Sequence, residues 1–140
     1  MNRTVKVGII GCGGIANGKH MPALKAVPGV EMVAFCDLII ERAEEAAAKY
    51  GVPGAKVYTD YKELIADPEI EVVHVLTPNR SHADLSIDAM KAGKHVMCEK
   101  PMAKTAEDAK RMLDCARETG KKLTIGYQHR QKPSARYAKE

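Results

Sequence analysis

The hydrophobic positions of this chain follow two alternating spacings. Short runs of β-branched and apolar residues predict strands, and each is followed by a longer stretch in which apolar residues recur at helical intervals. Most of the strand candidates are almost entirely apolar, which is typical of strands covered on both faces. The predicted strands are Val5–Ile10, Glu31–Cys36, Lys56–Tyr58, Val72–Leu76, His95–Cys98 and Lys122–Ile125.

Helical spacing and helix-end signals predict five helices between these strands. The first contains Pro22, which lacks an amide donor and must kink or split the helix. The last has the clearest ends, because Thr105 is placed to cap its N-terminus and Gly120 to end it. The predicted helices are Ile15–Ala26, Ile39–Tyr50, Tyr61–Ala66, Asp84–Ala92 and Ala106–Thr119.

The order of these elements predicts the fold class. Strands that alternate with helices through short connections form a mainly parallel sheet, with right-handed crossovers and helices on both faces. We therefore expect an α/β fold with a doubly wound, mainly parallel sheet. At the C-terminus, Pro133 and Ser134 indicate the start of one more helix, which stops after about two turns without a C-cap.

Composition narrows the functional classes. The chain has 140 residues, of which 45% are hydrophobic and 29% charged, as in a soluble globular domain. Its 22 basic and 18 acidic residues give a net charge of +4, and they are spread along the chain, so we expect no nucleic-acid surface. No apolar run is long enough to span a membrane. Four well-separated cysteines predict reduced thiols in a cytoplasmic protein, with no metal site.

A glycine segment, residues 11–16 (GCGGIA), follows the first predicted strand. It matches the G-x-G-x-x-A pattern, in which Gly11 permits a tight turn and Gly13 lets the backbone approach a pyrophosphate. Gly14 and Ile15 open the following helix, where free amides face an anion. Glycines also make ordinary turns, but the position of this segment between a strand and a helix predicts dinucleotide binding.

An acidic residue ends the second predicted strand. Asp37 lies about 20 residues after the glycine segment, the offset at which a carboxylate binds the adenosine ribose of a dinucleotide. Its two oxygens match two ribose hydroxyls and would repel a 2′-phosphate, so NAD is predicted in preference to NADP. Arg42 keeps NADP open, because it follows Asp37 closely in sequence and its long side chain could reach such a phosphate. The alternative is that Asp37 only caps the next helix.

Two polar segments follow the fourth and fifth strands, at the carboxyl edge where open α/β sheets bind their ligands. The first runs from Thr77 and Pro78 through Asn79 to His82. Asn79 and His82 carry donors and acceptors suited to a cofactor. The alternative is that Asn79 or Ser81 caps the following helix.

The second polar segment is the Glu-Lys-Pro turn, residues 99–101. A Glu-Lys pair at the end of an apolar strand is costly to bury unless the two groups contact each other or a ligand. A lysine desolvated there can act on a substrate hydroxyl, so Lys100 is the candidate catalytic residue. The alternative is a surface ion pair between Glu99 and Lys100. His20, His74 and His95 are interpreted as core or edge residues.

Four segments together resemble one family. They are Val7–Ala16, Thr77–His82, the Glu-Lys-Pro turn and Gly126–Arg130, which occur in order over essentially the whole chain. The combination resembles the glucose-fructose oxidoreductase and inositol 2-dehydrogenase family, Gfo/Idh/MocA. The resemblance implies a Rossmann dinucleotide-binding domain over residues 1–126 with NAD as cofactor, NADP being the other possibility. It also implies hydride transfer between the nicotinamide and a sugar, polyol or related alcohol.

The resemblance implies roles for individual residues as well. Glu99 would hold the nicotinamide ribose, Lys100 would hydrogen-bond the reacting oxygen, and Gln128 would border the nicotinamide. The full set of implied cofactor contacts is Gly11, Gly13, Gly14, Ile15, Asp37, Thr77, Pro78, Asn79, His82, Glu99, Lys100 and Gln128.

The resemblance also implies that part of the enzyme lies outside this chain. Family members are much longer and carry a substrate domain that often forms the oligomer interface. Residues 127–140 are therefore expected to begin the connection to that domain, and the whole protein to be a homo-oligomer. The chain by itself is expected to bind the cofactor and to turn over little substrate.

Three other functions stay open at this point. One is a stand-alone NAD-binding module without catalysis. Another is an S-adenosylmethionine methyltransferase, whose fold also places glycines after one strand and an acid after the next. The third lies within the family: redox-assisted elimination or glycoside cleavage with bound NAD. The Glu-Lys-Pro turn and the order of the motifs argue against the methyltransferase.

Overall fold

A computed structural model describes residues 3–126. Within these residues, six strands form one all-parallel sheet with the order β3-β2-β1-β4-β5-β6. This is the strand order of a doubly wound Rossmann fold, so the predicted fold class and all six predicted strands are confirmed. The strands are β1 (Val5–Ile10), β2 (Val30–Cys36), β3 (Lys56–Tyr58), β4 (Val72–Val75), β5 (His95–Glu99) and β6 (Leu123–Gly126).

The helices form two groups, each with its own hydrophobic core. Helices α1 and α2 contact each other, and α4 contacts both α3 and α5. Phe35 and Met21 belong to the core beside α1 and α2, whereas Leu64 and Met112 belong to the core beside α3, α4 and α5. The helices are α1 (Met21–Lys25), α2 (Ile40–Tyr50), α3 (Tyr61–Ile65), α4 (His82–Lys91) and α5 (Ala106–Thr119).

The first predicted helix is split at its proline. The Met21 N–H donates to the Ala16 carbonyl, five residues back, so Ala16–His20 form a π-helical turn ahead of α1. Pro22 lies in the first turn of α1, where a missing amide donor costs least. The predicted interruption is confirmed. The π-helical geometry was not predicted, because sequence spacing does not show which carbonyl an amide will reach.

The other helix ends differ little from the prediction, except at α4. That helix begins at His82, two residues before the predicted Asp84, after a 3₁₀ turn over Asn79–Ser81. Helix α5 has its predicted ends, because the Asp108 N–H donates to Thr105 Oγ1 over 3.1 Å and Gly120 adopts a φ of +69°.

Two findings on the described residues bear on function. Among residues 3–126, no helix is both long enough and apolar enough to cross a membrane. The same residues contain no group of three or more His, Cys, Asp or Glu side chains that could hold a metal ion. Gln128 and the predicted helix start at Pro133 lie outside the described residues.

Candidate cofactor-binding site

The turn after β1 requires a glycine at residue 11. Gly11 has a φ of +97°, a conformation that residues with side chains rarely adopt. A Cβ atom there would lie 2.8 Å from the Leu76 carbonyl carbon and 2.9 Å from its oxygen. The Gly11 N–H donates to the Cys36 carbonyl over 2.8 Å. The chain therefore turns sharply at the carboxyl end of β1, tight against the last residue of β2 and the residue that follows β4.

Beyond Gly11 the glycine segment is open. Within residues 3–126, the backbone amides of Gly13, Gly14 and Ile15 have no hydrogen-bond acceptor. A Cβ on Gly14 would meet nothing within 4 Å, and one on Gly13 would meet only Arg42 Nη1, at 4.0 Å. Free amides at the beginning of a helical segment bind anions. The segment therefore has the donors and the space that a pyrophosphate needs.

Asn17 keeps the carbonyls of this loop occupied. Its Nδ2 donates to the Cys12 carbonyl over 2.9 Å and to the Gly13 carbonyl over 3.0 Å. The Asn17 backbone N–H also donates to the Gly13 carbonyl, over 3.0 Å. Sequence reasoning missed Asn17, because the G-x-G-x-x-A pattern ends one residue before it.

Asp37 joins the end of β2 to the glycine segment. Its Oδ2 accepts the Cys12 N–H and its Oδ1 accepts the Ile39 N–H, each over 2.9 Å. Ile39 occupies the N-cap position of α2, and no side-chain cap bond is made there. The Ile39 N–H that Asp37 accepts precedes the first residue of the helix, so Asp37 does not cap α2. A carboxylate has about four acceptor positions, so about two remain after these bonds.

The cysteine of the glycine segment is part of the packing. Cys12 is buried, and its Sγ donates to the Cys36 carbonyl over 3.6 Å. Burial, reinforced by the negative charge of Asp37, raises the pKa of this thiol to about 12. The thiol therefore stays protonated at neutral pH and supplies no nucleophile to the loop.

Histidine 82 connects the loops that follow β4 and β5. The side chain is fully buried, with Nδ1 2.8 Å from the Pro101 carbonyl oxygen and Nε2 2.8 Å from that of Thr77. Both ring nitrogens thus face carbonyls of the protein, which leaves neither of them free for a cofactor. The contact that His82 makes is internal: it ties the Glu-Lys-Pro turn to the segment after β4.

The segment after β4 presents its own polar groups at the surface. Pro78 and Asn79 are exposed, and Thr77 is half-buried. The Ser81 hydroxyl donates to the Pro78 carbonyl over 2.8 Å, and its Oγ lies 2.7 Å from the Thr77 hydroxyl, which can donate to it. Neither Pro78 nor Ser81, at the N-caps of the 3₁₀ turn and of α4, makes a side-chain cap bond. The predicted cap bond from Ser81 is therefore absent, and Asn79 lies at the surface of this segment.

Glu99, the last residue of β5, is held by two donors. It is only 8% exposed, and its Oε1 lies 2.9 Å from His20 Nε2 while its Oε2 accepts the Lys100 N–H over 2.6 Å. Burial acts to raise the pKa of Glu99, but the hydrogen bonds from His20 and the Lys100 amide outweigh it and bring the pKa below its ordinary value. The carboxylate is therefore charged at neutral pH.

The side-chain partner of Glu99 is not Lys100, the partner in the alternative interpretation of the Glu-Lys-Pro turn. Within residues 3–126 the Lys100 ammonium forms no ion pair, with Glu99 or with any other carboxylate, and its side chain is exposed. His20, interpreted from sequence as a core or edge residue, takes that position instead. No sequence signal pairs residues 20 and 99, because their contact depends on the strand order.

A groove of about 400 Å³ lies beside this pair. Its walls come from the π-helical turn, α1 and the last three strands of the sheet, and they include Lys19, His20, His74, Met97, Glu99 and Gly126. His74 is 9% exposed, and its ring meets that of His20 edge-on at a centroid distance of 6.0 Å. Burial, with a smaller effect of His20, lowers the pKa of His74 to about 4, so this ring is neutral at pH 7.

Comparison with known protein families shows which family this chain belongs to. Residues 5–127 match the Gfo/Idh/MocA family, which is described as an oxidoreductase family with an NAD-binding Rossmann fold. The chain belongs to this family. The resemblance stated from four sequence segments is thus confirmed, together with NAD binding as a property of the matched domain.

The relatives of this Gfo/Idh/MocA chain include dehydrogenases named for inositol and for a glucoside. It is 41% identical to inositol 2-dehydrogenase from Salmonella typhimurium (strain LT2) over 128 residues, which cover 91% of this chain and 38% of that enzyme. It is 40% identical to D-glucoside 3-dehydrogenase from Escherichia coli (strain K12) over 126 residues, which cover 90% of this chain and 35% of that enzyme.

Solved structures of the family share the fold. A 3-ketoreductase from Actinomadura kijaniata, in complex with NADP and TDP-benzene, matches with a TM-score of 0.89 and 31% identity, covering 97% of this chain and 42% of its own. Myo-inositol 2-dehydrogenase from Lactobacillus plantarum matches with a TM-score of 0.88 and 30% identity, covering 98% and 40%. This chain therefore spans about two fifths of the length of its relatives.

Proposed function

We propose that this chain binds NAD at the carboxyl edge of its sheet and is the nucleotide-binding part of a dehydrogenase that oxidises a sugar, polyol or related alcohol. One observation carries the proposal: the open amides of Gly13, Gly14 and Ile15 lie beside an Asp37 carboxylate that has acceptor positions left. The names of the relatives, which include inositol and glucoside dehydrogenases, support the substrate class.

The glycine segment holds the diphosphate in this proposal. The three free amides donate to phosphate oxygens, and the bare Cα atoms of Gly13 and Gly14 let those oxygens approach the backbone. Asp37 accepts hydrogen bonds from the adenosine ribose. Because the same carboxylate accepts the Cys12 N–H, the ribose contact and the shape of the loop depend on one side chain.

Lys100 is the proposed catalytic residue. When bound, the nicotinamide supplies the hydride acceptor or donor. The exposed Lys100 ammonium, which follows directly after β5, places a positive charge beside the reacting oxygen and stabilises the negative charge that develops there. Asn79 and Glu99 orient the cofactor from the two neighbouring loops. The general acid and most substrate contacts are proposed to come from outside this chain.

Two residues set the choice between NAD and NADP in this proposal. Asp37 repels a 2′-phosphate, whereas the exposed Arg42, with Nη1 4.0 Å from the position of a Cβ on Gly13, would attract one. The carboxylate is bonded to the loop itself, whereas no bond from Arg42 to the glycine segment is seen among the described residues. We therefore propose a preference for NAD that weakens when Asp37 is replaced by a neutral residue.

Calorimetric titration with NAD and with NADP tests this function. We expect NAD to bind at least about tenfold more tightly than NADP, since a phosphate placed beside the half-buried Asp37 carboxylate costs on the order of 1 to 3 kcal/mol. Asp37→Ser should lose most of the NAD affinity and gain NADP affinity. Adding Arg42→Gln to that variant should remove the gain. Binding of S-adenosylmethionine, with neither nucleotide bound, would refute the proposal.

A further inference from the structure

His20 connects two parts of the chain that are distant in sequence. It is the last residue of the π-helical turn that follows the glycine segment, and its Nε2 lies 2.9 Å from Oε1 of Glu99 at the end of β5. The side chains of His20 and Glu99 are 14% and 11% exposed. The contact therefore joins the π-helical turn that follows the glycine segment to the Glu-Lys-Pro turn, and it is largely shielded from solvent.

Glu99 depends on this link for its position. Its two oxygens each have one donor among the described residues: His20 for Oε1 and the Lys100 amide, 2.6 Å away, for Oε2. If His20 were removed, a buried carboxylate would keep only the backbone amide and would be free to rotate toward solvent. The orientation of the Lys100 amide, and with it the start of the Lys100 side chain, is therefore linked to His20.

The surroundings of His20 fix the ring further. His74 from β4 meets it edge-on, and burial keeps His74 neutral, so His74 adds no charge beside the pair. The other charged groups that face this region are Lys19, from the same turn as His20, and Lys100, both of them exposed. Among residues 3–126, Glu99 is the one carboxylate lining the groove. It is also the side chain that pairs with His20 Nε2.

We propose that His20 is a positioning residue, which holds the Glu99 carboxylate so that Glu99 fixes the Lys100 backbone at the cofactor site. The link itself stands on geometry alone. Its consequence for the reaction rests on the proposed function, in which Lys100 acts on the substrate. His20 contacts neither reacting atoms nor cofactor in this account and works only through Glu99.

Amide hydrogen exchange at Lys100 tests the link without any cofactor. In His20→Ala we expect exchange at the Lys100 amide to be about tenfold faster or more, because its acceptor is no longer held. His20→Gln, which keeps a side-chain N–H donor, should restore most of the protection. The amide of Val73, in the middle of the sheet, should be unchanged in both variants and reports on the overall fold.

NADH titration of the same proteins tests whether the contact between His20 and Glu99 affects cofactor affinity. We expect a several-fold loss of affinity in His20→Ala and recovery in His20→Gln. His95→Gln is the matched control, since this half-buried histidine lies at the opposite end of β5 and should change neither readout. Absence of NADH binding by the unchanged chain would count against the proposed function and would leave the exchange test of the link intact.

Two results would overturn the link. One is unchanged Lys100 exchange in a folded His20→Ala protein, and the other is a His20→Gln protein that behaves as His20→Ala does. If His20→Ala does not fold, His20→Phe keeps a ring at this position and removes only the donor to Glu99. Its Lys100 amide should then exchange about tenfold faster, and protection equal to that of the unchanged chain would contradict the proposal.

Discussion

Individual residues of the site differ in whether their role can be predicted from the sequence. Gly11 and Asp37 are recognisable in sequence, because a glycine turn and an acid about 20 residues later have a fixed meaning in a βαβ unit. His20 and Asn17 are not, since their roles depend on acceptors that only the folded chain brings near. His82 shows the reverse case: its motif suggested a cofactor contact, whereas its ring is enclosed between two carbonyls.

His74 predicts a measurable dependence of stability on pH. Its Nδ1 is buried without a hydrogen-bond partner among the described residues, and burial lowers its pKa from 6.5 to about 4. Between these pH values the unfolded chain binds the additional proton, so stability falls as the pH falls. The loss is about 1.4 kcal/mol per pH unit, or roughly 2 kcal/mol between pH 6.5 and 5.

Urea unfolding of His74→Leu at pH 7 and pH 5 measures this contribution. The variant should be at least as stable as the unchanged chain at pH 7, because an unpartnered polar atom has been removed. It should also lose less free energy of unfolding on going to pH 5. Glu99 does not confuse the comparison, because its pKa lies below its ordinary value and its contribution is lost only under more acidic conditions. Equal losses in both proteins would show that His74 is not buried as described.

At the scale of elements, local signals were enough to find the strands and most helix ends. Thr105 and Gly120 bound α5 as predicted, since capping depends on neighbours in sequence. The start of α4 and the form of the first helix were less predictable. Helix α4 begins at the buried His82, whose position depends on the loop after β5, and the π-helical turn depends on which carbonyl the Met21 amide reaches.

At the junction between β1 and the following helical segment, we expect alanine substitutions at two glycines to have very different effects on stability. Gly11→Ala should destabilise the fold by about 2 kcal/mol or more, because its Cβ would lie 2.8 Å from backbone at Leu76 and its φ is positive. Gly14→Ala should change stability by less than about 1 kcal/mol, since no atom lies within 4 Å of its Cβ.

The Gly11→Ala and Gly14→Ala variants also distinguish an effect on folding stability from an effect on NAD affinity. Thermal denaturation gives the two stabilities, and NAD titration of the folded Gly14→Ala protein gives its affinity. We expect that affinity to fall at least several-fold, because the added methyl group fills the space proposed for phosphate oxygens. Full NAD affinity in Gly14→Ala would place the diphosphate elsewhere.

For the whole molecule, the parallel sheet explains why distant segments form one site. The glycine segment, Asp37, the segment after β4 and the Glu-Lys-Pro turn all follow carboxyl ends of strands that lie in the order β2-β1-β4-β5. Alternating strands and helices predicted this convergence from sequence. Substrate choice was not predictable in the same way, because this chain spans about two fifths of the length of its relatives.

An NAD titration followed by backbone amide resonances tests whether the glycine segment holds the diphosphate. We expect the amide resonances of Gly13, Gly14 and Ile15 to shift most, since these amides are free donors at the proposed diphosphate position. The Cys12 amide should shift with them, because it is bonded to Asp37. The amide resonances of Gly93 and Gly120, in turns that follow α4 and α5, should not shift. Saturable NAD binding that leaves the glycine segment unshifted would contradict the account.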